Sequence, residues 1–110
     1  MVSKIRAVMR KIISSPPWQN ETLINNAAVC AEECSELSQA CMKFVRMFQN
    51  DPSLRNNEKS VMYSLNEEVA DVLICICNLE DATLINEEEV MCIVEEKCKR
   101  YENSVNVERR

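Results

Sequence analysis

Residues 21–49 read ETLINNAAVCAEECSELSQACMKFVRMFQ, and their spacing decides the fold class. Leu23, Ala27, Cys30, Cys34, Leu37, Cys41, Phe44 and Phe48 recur in alternating steps of four and three, the period of a helix that lays one seam against a neighbour. A second seam, Met62, Leu65, Val69, Val72, Ile76 and Leu79, predicts another long helix that ends near Ala82. Between them Asn50-Asp51-Pro52-Ser53 is turn chemistry, and the polar stretch through Lys59 reads as a mobile loop. Asn86 followed by Glu89 is a capping-box start, with Glu87 and Glu88 favourable at a helix N-terminus. It opens a third long helix whose inward residues are expected to be Met91, Val94, Cys98 and Tyr101.

Ahead of these, residues 2–13 place Ile5, Val8, Met9 and Ile12 on one side of a short helix that also carries Lys4, Arg6, Arg10 and Lys11. Ser14-Ser15-Pro16-Pro17 breaks it. The reading is therefore all-α: three long helices plus a short N-terminal one, assembled around a four-helix-bundle-type core that self-association completes. The 110 residues form a single domain. Residues 1–17 make the short basic helix and its proline break, 21–104 the main bundle, and 105–110 a frayed polar tail.

Composition excludes much. Gly is 0, which removes the residue that hairpin turns and phosphate-cradling loops depend on, and with it an all-β fold, a P-loop and a Rossmann turn. His is 0, so histidine-based triads, zinc–histidine sites and the Glu-x-x-His motif of di-iron bundles are ruled out. The net charge of -5 disfavours binding to a nucleic acid polymer, and no apolar run approaches membrane-spanning length. The 7 cysteines form no C-x-x-C pair, and no secretory leader pattern precedes them. A reducing, cytoplasmic setting is the expectation. Cys30, Cys34 and Cys41 fall on the seam and read as buried hydrophobes.

Set into the two seams are two acidic signatures, Glu32-Glu33-x-x-Glu36 and Glu67-Glu68-x-x-Asp71. Residues three and four apart share a helix face, so Glu33 projects with Glu36, and Glu68 with Asp71. The stripe beside the first seam is Val29, Glu33, Glu36, Ala40, Met47, and on the next helix it is Glu68, Asp71, Cys75, Asn78. Acids among small and apolar neighbours are a poor design for a solvated face. If the two helices pack antiparallel, the four carboxylates converge, and a hard divalent cation relieves their repulsion. Mg²⁺ fits such an oxygen set, and a phosphate ester or anhydride is its natural substrate. Glu67 reads as a surface acid. Trp18 is the only tryptophan, and aromatic rings stack on bases, so it is a candidate substrate contact whose alternative is packing against the bundle.

"AEECSELSQA" at 31–40 and "NEEVADVLI" at 66–74, spaced as E-E-x-x-E and E-x-x-D, resemble the MazG-like family of all-α nucleoside triphosphate pyrophosphohydrolases. The resemblance covers about residues 23–103 and includes "EEKCKRYE" at 95–102. It implies Mg²⁺-dependent hydrolysis, with Mn²⁺ as a substitute, of a nucleoside or deoxynucleoside triphosphate to monophosphate and pyrophosphate. It also implies a homodimer or homotetramer, and it accommodates a housecleaning role in the nucleotide pool. By position, Glu33, Glu36, Glu68 and Asp71 match the metal ligands, and Glu32 matches the added acid that orients or deprotonates the attacking water, in which Glu36 also takes part. Asn78, Lys97 and Arg100 match substrate-binding positions, the last two as phosphate contacts or, alternatively, as a solvated basic edge. Two departures stand out. The spacer between Glu36 and Glu68 is longer than is usual in the family, and the basic segment before Pro16 has no counterpart. The rival reading is a catalytically silent metal-binding or regulatory helical bundle that acts by interaction.

Overall fold

The computed structural model describes residues 1–12, 23–49, 58–81 and 84–109. Four helices make up the described chain, with no strand among those residues: α1 (Val2–Ile12), α2 (Leu23–Phe48), α3 (Glu58–Asp81) and α4 (Glu87–Arg109). The expected order and type of elements hold. Two boundaries differ from expectation. α3 begins at Glu58, so the end of the expected loop is already helical, with an acid in the first turn as the helix dipole favours. α4 runs on to Arg109, through the segment expected to fray. The remainder of the expected loop, and the proline break after α1, lie outside the described residues.

α2 and α3 pack along their length and form the main interface. Of the expected α3 seam, Leu65, Val69, Val72, Ile76 and Leu79 are half-buried and Met62 is exposed, while Val61 and Cys75 are buried and Cys77 is buried toward α1. On α2 the expected seam is only partly covered. Cys30, Leu37 and Phe44 are half-buried and Ala40 is buried, while Ala27, Cys34, Cys41 and Phe48 are exposed. Phe44 and Phe48, one turn apart, bring their rings to 4.7 Å between centroids, an edge contact rather than a core one.

α1 docks on α3. Its Met9 is buried, Arg6 forms an ion pair with Glu80, and the Cys77 thiol donates a long bond of 4.0 Å to the Val2 carbonyl. Met1, Lys4, Ile5, Val8 and Met9 line a largely apolar cavity of about 320 Å³ against Ala70 and Ile74.

α4 is capped as its sequence predicts: the Glu89 amide donates to Asn86 Oδ1 at 3.0 Å, and the Val90 amide to the Asn86 carbonyl at 3.0 Å. Its packing departs from expectation. Met91, Val94, Cys98 and Tyr101 are exposed, Tyr101 to 72%. Every described side chain from Glu87 to Ser104 is exposed. A 3–4 spaced apolar face implies a partner but does not say whether that partner lies in the same chain. The Cα radius of gyration is 17.7 Å, against about 13 Å for a compact chain of this length. Among the described residues α4 makes no extensive packing with the α2–α3 pair.

No helix among the described residues is long and apolar enough to cross a membrane.

Candidate metal centre

The antiparallel run of α2 against α3 follows from which charges act on which. Glu36 acts on Glu68 and Asp71 on Glu33, and one turn further along α3, Cys75 feels Cys30, one turn back along α2. Successive layers between the helices are thus carboxylate and then thiol.

In the carboxylate layer Glu33, Glu36, Glu68 and Asp71 each bring one oxygen into a group whose members all lie within 4.8 Å of one another. The two acidic signatures come together in one cluster. Glu33, Glu68 and Asp71 are half-buried and Glu36 is exposed, so the cluster opens at one side and is walled at the other. At the walled side Glu33 Oε2 and Glu68 Oε2 are shielded from solvent and accept no hydrogen bond from the described residues. A buried carboxylate oxygen without a donor is costly, and two in one cluster mark positions that a cation would satisfy.

Electrostatics say the same. Burial, then the charge of Glu36, then that of Asp71, a hydrogen bond to Glu36 and the charge of Glu68 raise the Glu33 carboxyl above the usual carboxylate range. Glu68 is raised by burial first, then by Glu36 through charge and a hydrogen bond, then by Asp71 and Glu67. Glu67, exposed, acts on the site only through its charge. A divalent cation among the four would offset this repulsion.

The neighbouring layer holds Cys30, whose thiol is raised by burial first and then by Cys34, and Cys75. Burial, then Cys30, Glu33, Asp71 and Cys34 push the Cys75 thiol up to about 11. All 7 cysteines are free thiols. The expectation that Cys30, Cys34 and Cys41 are core hydrophobes fails for two of them, since Cys34 and Cys41 are exposed.

Asn78, two turns beyond Asp71 on α3, is half-buried, and its Oδ1 is shielded without a donor among the described residues. It points to an absent partner as the orphaned carboxylates do. Glu32 is exposed and stands outside the cluster of four. Lys97 and Arg100 are on α4, exposed, and no ion pair among the described residues joins them to the acids. Arg100 instead lies 3.9 Å from Glu96, both side chains 70% exposed. Trp18 lies outside the described residues.

Sequence reasoning missed the thiols that adjoin the carboxylates. The signal was there: Cys30-x-x-Glu33-Cys34 occupies positions i, i+3 and i+4 of one helix, and Cys75 follows Asp71 by four. Comparison with family models, with curated proteins and with solved structures finds no match to this chain.

Proposed function

We propose that this chain is a Mg²⁺-dependent nucleoside triphosphate pyrophosphohydrolase of the MazG-like type, acting as a homodimer or homotetramer. The observation that carries the reading is the group of four carboxylates from two helices, within 4.8 Å of one another and with two shielded oxygens that lack a donor. An oxygen-only donor set suits Mg²⁺, or Mn²⁺ in its place, and does not suit a soft metal. Glu33, Glu36, Glu68 and Asp71 would hold it. The ion, when bound, would neutralise phosphate oxygens and lower the pKa of coordinated water.

The chain's own groups then have separable roles. Glu32, exposed beside the cluster, is free of metal and takes the proton from the attacking water, with Glu36 at the open side orienting that water. The oxygen of the water bonds to the α-phosphorus, the bond from that phosphorus to the bridging oxygen breaks, and pyrophosphate leaves. Asn78, with its unpartnered Oδ1, accepts a hydrogen bond from the sugar or base. Trp18 is proposed to stack on the base, and Lys97 and Arg100 to meet the phosphates.

The apolar face of α4 supports that last assignment. Val90, Met91, Ile93 and Val94 of α4 are 43–52% exposed, and burying this face against a second copy brings α4 and its basic pair into a bundle. A single chain leaves Lys97 and Arg100 in solvent.

The alternative, a catalytically silent metal-binding bundle, draws on that same exposure and on the Arg100–Glu96 pair. Incubating the protein with a panel of ribo- and deoxynucleoside triphosphates, with Mg²⁺ and with a chelator, separates the two readings. Mg²⁺-dependent pyrophosphate release supports hydrolysis. Mg²⁺ binding without turnover of any triphosphate supports the silent bundle.

A further inference from the structure

α1 turns one face to α3, where Met9 is buried, Arg6 pairs with Glu80 and the Val2 carbonyl receives the Cys77 thiol. Its remaining apolar residues, Met1, Ile5, Val8 and Ile12, recur in steps of four and three along a second stripe. Met1, Val8 and Ile12 are 79%, 55% and 75% exposed, and the first part of the stripe lines the apolar cavity against Ala70 and Ile74 of α3. We propose that this groove receives α4 of a second copy of the chain, held by apolar contact and by ion pairs from Lys4 and Lys11 to Glu88 and Glu95. The inference rests on the self-association proposed above and is independent of hydrolysis.

Charge and register carry it. α1 holds Lys4, Arg6, Arg10 and Lys11 and no acid, whereas residues 87–96 of α4 hold Glu87, Glu88, Glu89, Glu95 and Glu96 and no base. Lys4 and Lys11 flank the α1 stripe seven residues apart, and Glu88 and Glu95 flank Met91 and Val94 of α4 at the same spacing. At 1.5 Å per residue both separations are about 10.5 Å, so the two pairs form together in one register. All four side chains are exposed, and no ion pair among the described residues engages any of them. Exposed pairs of this kind add little affinity singly but fix register and partner, while the apolar stripes supply the burial. Among the described residues α4 makes no extensive packing with α1, α2 or α3 of its own chain. Reciprocal exchange of α4 forms the contact twice and closes a dimer.

Charge reversal read by sedimentation tests the pairing. Wild type should sediment as a dimer or a multiple of it. Lys4→Glu/Lys11→Glu and Glu88→Lys/Glu95→Lys should each raise the dimer dissociation constant about tenfold or more, and the chain carrying all four reversals should regain the dimer. Glu87 and Glu89 keep the first turn of α4 acidic in these variants. A second measurement needs no variant to fold: a carbodiimide joins a lysine amine to a carboxylate in contact with it. In a mixture of isotope-labelled and unlabelled wild type, it should link Lys4 or Lys11 peptides to α4 peptides of the other isotope. A wild-type dimer unmoved by either reversal, no recovery in the fourfold variant, or cross-links confined to one isotope would overturn the inference and leave self-association standing. A wild type that stays monomeric at every concentration, with or without binding to phosphatidylserine vesicles, would overturn both.

Discussion

Glu36 on α2 and Glu68 on α3 face each other across the interface between their helices, an oxygen of each within 4.8 Å of the other. Glu33 and Asp71 complete the group. Burial and the neighbouring acids raise the proton affinity of Glu33 and Glu68, and a divalent cation at the same place would compete with those protons.

A pH dependence of stability follows. Glu33 and Glu68 bind protons more tightly in the folded chain than in the unfolded one. The stability this contributes is fully present below the ordinary glutamate value and is lost as pH rises through the raised folded values. In a chelator, the Tm of the wild type should therefore fall between about pH 4.5 and neutrality relative to Glu68→Gln, which cannot titrate there. Added Mg²⁺ should remove the difference. Parallel Tm–pH curves for the two proteins in chelator would refute the raised proton affinity of the cluster.

Glu36→Gln and Asp71→Asn each delete a metal-binding charge while relieving repulsion between like charges. Pyrophosphate release should fall by about 100-fold or more, the scale on which activity depends on ligation. The Tm in chelator should hold or rise. Turnover at the wild-type rate under saturating Mg²⁺ would remove these residues from the site.

If α4 reaches the substrate only in an oligomer, surface and activity are linked. Ile93→Glu should shift sedimentation toward monomer and lower kcat/KM. Lys97→Ala/Arg100→Ala should leave the oligomer intact and lower kcat/KM by about tenfold or more per lost charge-assisted contact. Mg²⁺ affinity measured without nucleotide should stay near wild type in both. Wild-type kcat/KM in the basic double variant assigns the pair to a solvated edge.

Asn86 receives the Glu89 amide at the start of α4. Asn86→Ala leaves that donor to water and should cost about 1 kcal/mol, read as a lower urea midpoint with an unchanged slope.

Helix number and order were legible because seams of period three and four recur between clear breaks, and the acidic signatures were legible because each repeats the same helical spacing. The union of Glu33, Glu36, Glu68 and Asp71 then needed only an antiparallel pair. Burial was harder to read. Met91, Val94 and Tyr101 carry the periodicity of inward residues, but periodicity reports that a face wants covering and not which molecule covers it. Cys34 and Cys41 fit the α2 seam by spacing, yet helix pairing covers a narrower strip than the seam and leaves both outside. The start of α3 at Glu58 was hidden by polar residues that belong to an exposed first turn as readily as to a loop.

Phosphorus NMR of a nucleoside triphosphate incubated with the protein and Mg²⁺ reads the central claim most directly, because it identifies which phosphate bond is cut. The account predicts monophosphate and pyrophosphate appearing in equal amounts, dependent on Mg²⁺ and absent with Asp71→Asn. An unchanged triphosphate across the ribo- and deoxynucleotide panel, from protein that binds Mg²⁺, would contradict it, as would release of diphosphate and inorganic phosphate.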